Sequence, residues 1–275
     1  MNMELKQKVS VIIPTYNRAD SIGASIQSIL DQTWQNYEII VVDDGSTDNT
    51  RQVMENYTDD RISYIYLGQN CGPSHARNEG IRRSECEYIA FLDSDDVWLP
   101  EKLEKQMQVM LQASETVGLI YCRMRGCRKD GSDIICPSLS LRKEELEGNL
   151  LRNLVGGNVI GTPAMLVRKQ CLEQTGGFDE GLKCLEDWEL VLRIAEKWEI
   201  GFVDEILVEF RYSDGSVSGN VKGYVDTRCY MIAKYWKLMA QRDILNKMVE
   251  EVLLSAKHIG YYEEAKQMLT AALHL

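Results

Sequence analysis

An acidic motif in the first half of the chain has the residue types and spacing of a metal site. It consists of Asp93, Ser94, Asp95 and Asp96, and its D-x-D spacing lets alternate side chains point the same way from an extended backbone. Neighbouring carboxylates repel one another unless a cation or hydrogen-bond donors neutralise them. Hard divalent metals prefer oxygen ligands and often bind one or two carboxylates together with substrate phosphates. The alternative interpretation, which an isolated D-x-D favours, is an Asx turn that caps the next helix.

A second acidic motif runs from Asp43 to Asp48 (DDGSTD) and has carboxylates suited to binding a nucleoside. One of them can accept a hydrogen bond from a nucleobase N–H or a ribose hydroxyl. The motif is not a calcium loop, because the required order of acidic residues and the distal Glu are absent. Its residue types also suit a turn and a helix N-cap, so a purely structural role is the alternative.

A third acidic motif, Leu185 to Trp188 (LEDW), begins a predicted helix. A carboxylate at this position can act as a general base that takes the proton from an attacking hydroxyl. The helix dipole also favours acidic residues in a first turn, so the alternative is again structural.

Basic residues provide two further candidates. Arg77 lies in a predicted helix that Gly72 and Pro73 open, where it can face a diphosphate or stack on a base. A solvated helix face is the alternative for Arg77. The segment Tyr121–Lys129 carries four Arg or Lys residues among apolar ones, which is typical of a solvated hairpin. Its alternative role is contact with a membrane surface or a phospholipid acceptor.

Short apolar runs alternate with amphipathic segments through the first half of the chain, and they position these motifs. Strands are predicted at Val9–Pro14, Glu38–Val42, Ile62–Leu67, Tyr88–Leu92 and Val117–Cys122. Such alternation predicts an α/β fold, a Rossmann-like and mostly parallel sheet with helices on both faces. Ligands bind beyond the carboxyl ends of such strands, so the residues that follow the strands are the candidates. The first strand is followed by Pro14, Thr15 and Tyr16, so these residues are candidates for the ligand site together with the first two acidic motifs.

The second half has a more mixed pattern. Helices are predicted at Lys143–Leu154 and Glu186–Lys197, a strand at Pro163–Val167 and an edge strand at Ile206–Tyr212. From Val221 onward the pattern is helical only, with breaks near Gln241 and Gly260.

Composition and charge argue against several classes of protein. The 31 Lys and Arg against 42 Asp and Glu give a formal charge of −11, which argues against general nucleic-acid binding. The eight cysteines form no C-x-x-C pair, so a zinc site is not expected, and their scatter predicts reduced thiols in the cytoplasm. No apolar run suits a signal peptide or a membrane span. No glycine-rich phosphate loop follows the first strand, which disfavours dinucleotide-binding dehydrogenases and P-loop enzymes.

Taken in order, the motifs resemble those of family 2 glycosyltransferases with the GT-A fold. The resemblance rests on Val9–Asn17, Ile40–Asp48, Gly72–Gly80, Ala90–Asp96, Gly177–Glu180 and Leu185–Leu190. It implies a GT-A domain at residues 1–220, with a nucleotide-binding half at 1–117 and an acceptor-side half at 118–220. A C-terminal helical extension would follow at 221–275.

The resemblance also implies a role for each candidate residue. The donor nucleotide would contact Pro14, Thr15, Tyr16, Asp43, Asp44, Arg77 and Ser94. Mn²⁺ or Mg²⁺ would bind among Asp93, Asp95 and Asp96, with Asp95 preferred. Asp187 would be the catalytic base, and Glu186 and Trp188 would lie on the acceptor side.

The implied function is the transfer of a single sugar from a nucleotide-diphosphate sugar to an acceptor hydroxyl, with inversion. UDP is the commonest donor nucleotide of the family, and a glycan or lipid-linked acceptor in polysaccharide or cell-surface glycan biosynthesis is expected. The motif Gln-x-x-Arg-Trp of processive synthases is absent, which favours single transfers. Many relatives carry a His where Ser213 stands, so one metal or phosphate contact is predicted to be missing.

The expected location is the cytoplasm, with peripheral contact at the inner face of the membrane as a hypothesis. The C-terminal helices are a candidate homodimer surface.

Two alternative functions remain, a catalytically silent nucleotide-sugar-binding module and a nucleotidyltransferase. The nucleotidyltransferase is disfavoured because Pro14–Asn17 lacks the basic, glycine-rich loop that such enzymes place after the first strand.

Overall fold

The computed structural model describes residues 7–127, 131–211 and 220–273. Within these residues a nine-stranded sheet is flanked by helices. The strands are β1 (Val9–Thr15), β2 (Tyr37–Asp43), β3 (Ile62–Tyr66), β4 (Tyr88–Phe91), β5 (Val97–Trp98), β6 (Val117–Cys127), β7 (Asp133–Cys136), β8 (Leu166–Arg168) and β9 (Glu199–Arg211). The α-helices are α1 (Ile22–Leu30), α2 (Thr50–Met54), α3 (Pro73–Arg83), α4 (Lys102–Gln112), α5 (Leu151–Leu154), α6 (Lys169–Thr175), α7 (Glu186–Ala195), α8 (Val221–Gln241), α9 (Leu245–His258) and α10 (Tyr262–Leu273).

The order of the strands across the sheet is β3-β2-β1-β4-β8-β6-β9-β5, and β7 pairs with β6. Strands β3, β2, β1 and β4 are parallel to one another, as the alternating pattern of the first half predicts. Strand β8 joins the two halves by antiparallel pairs with β4 and β6. The predicted α/β class, with a parallel, Rossmann-like first half, is confirmed.

The parallel half is apolar on both faces because helices cover it. Every residue of β1 is buried. Helix α1 contributes Ile22, Ile26 and Ile29 to the same core. Helix α3 packs so closely that a Cβ on Gly80 would lie 2.5 Å from Cγ2 of Ile12. This packing fixes the strand ends from which the candidate site residues project.

The predicted helix at Lys143–Leu154 is wrong. A 3-10 turn occupies Lys143–Glu145 and only α5 is α-helical. Gly148 separates the two with a φ of 89°, and its backbone exchanges hydrogen bonds with Ile200. A left-handed residue ends a helix, and the bridge to β9 replaces the helical hydrogen bonds.

Two strand predictions in the second half also need correction. Strand β8 begins only at Leu166, because Thr162–Ala164 forms a 3-10 turn around Pro163. Strand β9 is not an edge strand, since it pairs with β6 on one side and β5 on the other. The last residue of the predicted edge strand, Tyr212, lies outside the described residues.

The C-terminal helices confirm the breaks predicted near Gln241 and Gly260. Their buried residues, among them Ile232, Val252 and Leu269, belong to the same core cluster as the sheet. Among the described residues no helix has the length and apolarity that a membrane span requires.

Candidate active site

The ends of β1 and β2 bring the first candidate residues together. Thr15 and Asp43 are register partners, and the amide of Asp44 donates to the Thr15 carbonyl at 2.8 Å. Pro14 and Thr15 are buried, whereas Tyr16 is 40% exposed and can offer its ring to a ligand. The hydroxyl of Thr15 is buried without a hydrogen-bond partner among the described residues. Because buried hydroxyls are normally paired, this one suits a ligand that brings its own polar group.

Asp43 and Asp44 are both buried, and each shapes a loop. Asp43 accepts hydrogen bonds from the Ser46 amide at 2.7 Å and from the Tyr64 hydroxyl. Asp44 accepts from the amides of Cys71 at 2.8 Å and Gly72 at 2.7 Å, directly before α3. Burial raises the pKa of Asp44, and the two amides oppose that rise. Each carboxylate oxygen keeps a second lone pair, so Asp44 can still accept from a nucleobase.

Asn17 is a residue of this pocket to which sequence reasoning assigned no role. It has a φ of 53°, and its side-chain oxygen accepts from the amides of Thr47 at 2.8 Å and Asp48 at 3.3 Å. The backbone amide of Asn17 donates to the hydroxyl of Ser46. The loops after β1 and β2 are therefore joined into one unit. Asn tolerates the left-handed region better than other non-glycine residues, which is the one signal in the sequence.

Gly45 should tolerate no side chain, and Gly68 provides a matched control. Both have a left-handed φ, 81° and 82°, but a Cβ on Gly45 would lie 2.7 Å from the backbone carbon of Gln69, whereas one on Gly68 meets nothing within 4 Å. We expect Gly68→Ala to lower the free energy of unfolding by about 1–2 kcal/mol, the conformational cost alone. Gly45→Ala should lose clearly more in urea denaturation, and equal losses would contradict the close approach.

The D-x-D motif follows β4 and its backbone is tied to α1. The hydroxyls of Ser21 and Ser25 donate to the carbonyls of Ser94 and Asp96, both at 2.8 Å. The side chains of Ser94 and Asp96 are buried. Asp95 is partly exposed, with a side chain 24% accessible, and its carboxylate lies 3.4 Å from the guanidinium of Arg18.

These carboxylates suit a hard divalent cation, because they offer oxygen ligands only. Across residues 7–127, 131–211 and 220–273, no three His, Cys, Asp or Glu side chains converge closely enough to hold a metal by themselves. A cation bound here would therefore draw its remaining ligands from water or from a phosphate group. Asp93 and Asp95 are both partly exposed and each lies beside an arginine. Arg77 is buried against Asp93 at 2.7 Å, whereas Arg18 is partly exposed and lies 3.4 Å from Asp95.

Arg77 joins the D-x-D motif to the third acidic motif. Its two terminal nitrogens donate to Asp93 at 2.7 Å and to Glu186 at 2.9 Å, and its guanidinium lies 5.2 Å from the ring centre of Phe178. Burial alone would lower the pKa of Arg77, but the two carboxylates raise it above its ordinary value. The arginine stays charged and holds the two acidic motifs at a fixed separation.

Arg77→Met should be strongly destabilising, because it leaves two carboxylates without their buried partner. Breaking such a buried ion pair costs about 3–5 kcal/mol. The control is Arg82→Met on the same helix, which removes an exposed ion pair with Glu79 and should cost under about 1 kcal/mol. Adding Glu186→Gln to Arg77→Met should recover part of the loss. Equal effects of the two arginine variants in urea unfolding would rule out this bridge.

Asp187 lies in the first turn of α7, next to the Arg77 bridge. Burial, reinforced by the negative charge of Glu186, raises the pKa of Asp187 to about 7, while the Trp188 amide and Arg77 act in the opposite direction. A carboxylate with a pKa near neutrality is well matched to proton transfer. The structure thus brings the turn that carries the predicted base, through Glu186, and the D-x-D motif, through Asp93, to opposite ends of one arginine.

The place of Trp188 on the acceptor side stays a prediction. Its side chain is buried, and its indole N–H donates to the carbonyl of Leu154 at 2.7 Å. Trp188 follows Asp187 by one residue, so its side chain points about 100° away from that of Asp187 around the helix. Glu186 is partly buried against Arg77, and its acceptor-side role also stays a prediction.

A match to a family model shows which protein family the chain belongs to. The model described as Glycosyl transferase family 2 matches residues 10–172, more than half of the chain. The chain belongs to this family. This family 2 glycosyltransferase is 34% identical to TuaG of Bacillus subtilis strain 168 over 78% of its own length and 83% of that protein. TuaG is described as a putative teichuronic acid biosynthesis glycosyltransferase.

Two solved structures show the fold of this family 2 glycosyltransferase. Residues 1–349 of S. aureus TarS, in complex with UDP-GlcNAc, align with a TM-score of 0.70 at 20% identity, over 97% of this chain and 79% of that one. A mannosyltransferase of Pyrobaculum calidifontis, in complex with GDP-Man and Mn²⁺, aligns with a TM-score of 0.63 at 20% identity, over 97% and 75% of the two chains. The GT-A fold implied by the motifs is confirmed.

A further contact of this family 2 glycosyltransferase secures α3 against the loop before α7. The amide of Asn78 donates to the carbonyl of Phe178 at 2.9 Å and to Glu180 at 2.8 Å, and its oxygen accepts from the Phe178 amide. Sequence reasoning had no means to pair residues about a hundred positions apart. The predicted departure at Ser213 and the basic residues Arg128 and Lys129 lie outside the described residues.

Proposed function

We propose that this chain is a metal-dependent, inverting glycosyltransferase that moves one sugar from a nucleotide-diphosphate donor to an acceptor hydroxyl. The observation that carries the proposal is the Arg77 bridge, which holds the D-x-D motif and the Asp187 turn together. Membership of the family supports the reaction class. The exposed ring of Tyr16 beside the buried Thr15 and Asp44 supports the nucleotide end of the donor.

The proposed donor is a UDP-sugar, and each pocket residue has a task. Asp44 accepts a hydrogen bond from the base, and Asp43 keeps its loop in place through Ser46 and Tyr64. Pro14, Thr15, Tyr16, Arg77 and Ser94 line the nucleotide. The complex of TarS with UDP-GlcNAc supports UDP as the nucleotide, at the level of a shared fold.

The proposed metal site centres on Asp95, with Asp93 and Asp96 close by. Mn²⁺ or Mg²⁺, when bound there, would neutralise charge on the departing diphosphate. The Mn²⁺ complex of the Pyrobaculum mannosyltransferase supports this choice of ion. Arg18 would exchange its contact with Asp95 for the new charges nearby.

Asp187 is the proposed general base. It removes the proton from the acceptor hydroxyl, whose oxygen attacks the anomeric carbon on the face opposite the leaving diphosphate. The C–O bond to the diphosphate breaks as the new glycosidic bond forms, so a single displacement inverts the anomeric centre. The carbon becomes oxocarbenium-like on the way, as in glycoside hydrolysis.

A thermal-shift experiment tests the donor proposal. UDP, GDP, CDP and dTDP are each added with and without Mn²⁺. A ligand that binds only the folded state raises the melting temperature, so we expect UDP to do so and Mn²⁺ to enlarge the shift. A larger shift with another nucleotide would replace UDP. No shift with any of them would contradict the proposed nucleotide site.

The pH dependence of transfer should report Asp187. Because the pKa of its carboxyl is raised to about 7, the base is largely protonated below that pH and ionised above it. We expect kcat/KM to rise as pH increases through about 7 and then level off, since kcat/KM follows the groups of the free enzyme. A profile already flat from about pH 5 upward would exclude a base with a raised pKa.

The acceptor and location belong to the same proposal. We expect a glycan or lipid-linked acceptor in polysaccharide biosynthesis, for which the similarity to TuaG is the support. The proposed site of action is the cytoplasm, with peripheral contact at the inner face of the membrane. The proposed division of the chain is a GT-A domain at 1–220 and a helical extension at 221–275, the latter a candidate homodimer surface.

A further inference from the structure

The turn in front of Asp187 has an unfavourable backbone conformation. Leu185 precedes α7 with a φ of 57° and a ψ of 23°, the left-handed region. A residue with a Cβ adopts this region at a cost of roughly 1–2 kcal/mol and remains there only where its surroundings hold it. Glu186 and Asp187 follow directly, so the conformation of Leu185 sets the direction in which the Asp187 side chain leaves the helix.

Helix α8 contacts both sides of this turn. On one side the buried hydroxyl of Thr227 donates to the carbonyl of Cys184 at 3.1 Å. On the other side the guanidinium of Arg228 lies 5.6 Å from the ring centre of Trp188. Thr227 and Arg228 are consecutive, so one turn of α8 touches the residues immediately before Leu185 and immediately after Asp187.

The two contacts are themselves supported. Arg228 is buried and donates to Glu251 of α9 at 2.9 Å and to the hydroxyl of Tyr224. A Cβ on Gly223 would lie 3.0 Å from Cβ of Lys183, so the start of α8 approaches the turn closely.

Farther along, the two helices stay in contact. The hydroxyl of Tyr235 in α8 donates to Glu196, directly after α7, at 2.6 Å. The amine of Lys234 lies 3.8 Å from a carboxylate oxygen of Glu189. Helix α8 therefore contacts α7 at several points, and its contacts at the turn are the first of them.

We propose that α8 holds the Asp187 turn in its active conformation and that Thr227 is a positioning residue of the active site. This inference rests on the proposed role of Asp187. It assigns a catalytic purpose to a helix that lies beyond the residues matched by the family model, which end at 172. The C-terminal helices are then an integral part of the site and not an appendage.

The first test removes the hydroxyl of Thr227 and keeps the shape of its side chain. Thr227→Val deletes the bond to Cys184, and Thr227→Ser retains it. Thr175→Val is the matched control, because the Thr175 hydroxyl donates to the carbonyl of Cys171 at 2.8 Å within α6, away from the turn. Amide hydrogen exchange of residues 183–190 should speed up about two- to tenfold in Thr227→Val, as expected for loss of one hydrogen bond. It should match the wild type in Thr227→Ser and Thr175→Val.

The second test measures turnover with the UDP-sugar that the wild type uses. Thr227→Val should lower kcat about tenfold or more, because a small misplacement of a reacting group is costly, while the KM for the donor stays unchanged. Thr227→Ser should restore kcat. Unchanged exchange, unchanged kcat, or equal effects of Thr227→Val and Thr175→Val would each overturn the proposal. Absence of wild-type turnover with every UDP-sugar would instead contradict the proposed function, and the exchange result alone would then decide whether α8 holds the turn.

Discussion

Asp187→Asn should lower the rate of sugar transfer by about 10²- to 10⁴-fold, the usual contribution of a general base. The variant keeps the size of the side chain and loses its ability to take a proton. Donor affinity should be unchanged, because Asp187 is not among the proposed nucleotide contacts. The measurement is kcat for transfer together with a titration of UDP and Mn²⁺ against the protein. Near-normal transfer by the variant would remove Asp187 as the base.

Stability provides an independent readout for the same variant. The pKa of Asp187 is raised in the folded protein from its ordinary value of 3.8 to about 7, so the ionised carboxylate disfavours folding. Its contribution to stability falls as pH rises between these two values and is constant above about 7. Asp187→Asn should therefore unfold at a higher temperature than the wild type above that pH, and the difference should vanish in acid. Asp60→Asn, the same change at an exposed position before β3, should alter neither transfer nor this pH dependence.

Asp95→Asn should weaken metal-dependent nucleotide binding more than any other single change in the D-x-D motif. Its carboxylate is partly exposed beside Arg18, so it is placed to reach a cation. Altering even the outer partners of a metal ligand costs about 10- to 100-fold in metal affinity, and loss of a direct ligand should cost at least as much. The measurement is a calorimetric titration of UDP at several concentrations of Mn²⁺. Binding of UDP without metal should be unchanged.

Asp93→Asn is the informative comparison, because Asp93 pairs with Arg77. This variant should lower the free energy of unfolding and leave much of the metal dependence of binding. If Asp93→Asn abolishes the metal dependence and Asp95→Asn does not, the ligand role moves to Asp93. Full metal dependence in both variants would direct attention to Asp96.

The sequence predicted the parallel half of the fold because its physical signals are local. Apolar runs such as Val9–Pro14 are long enough to be buried strands, and the polar residues that follow them must then meet at one edge of the sheet. The helix breaks near Gln241 and Gly260 were visible for the same reason. In contrast, Lys143–Leu154 has a helical composition, and a non-local bridge between Gly148 and Ile200 overrides it.

The internal arrangement of the site was less predictable. Arg77 and Glu186 are 109 positions apart, and no pattern in one sequence pairs them. Arg77 was expected at the base or the phosphates, and the structure adds two carboxylate partners that such a role must accommodate. The burial of Trp188 and the bond from Thr227 to Cys184 also depend on tertiary packing, to which a motif search is insensitive.

The position of Thr227 late in the chain has a consequence for the order in which this protein is made. Translation proceeds from the N-terminus, and the earlier part of a chain can fold before the rest is synthesised. The loops of Asn17, Asp44 and Asp95 precede α8 by more than a hundred residues. The hydrogen bond from Thr227 to the carbonyl of Cys184, in contrast, needs α8 itself. A nascent chain would therefore be able to bind a nucleotide before it could transfer a sugar. Transfer would begin only once the C-terminal helices had left the ribosome.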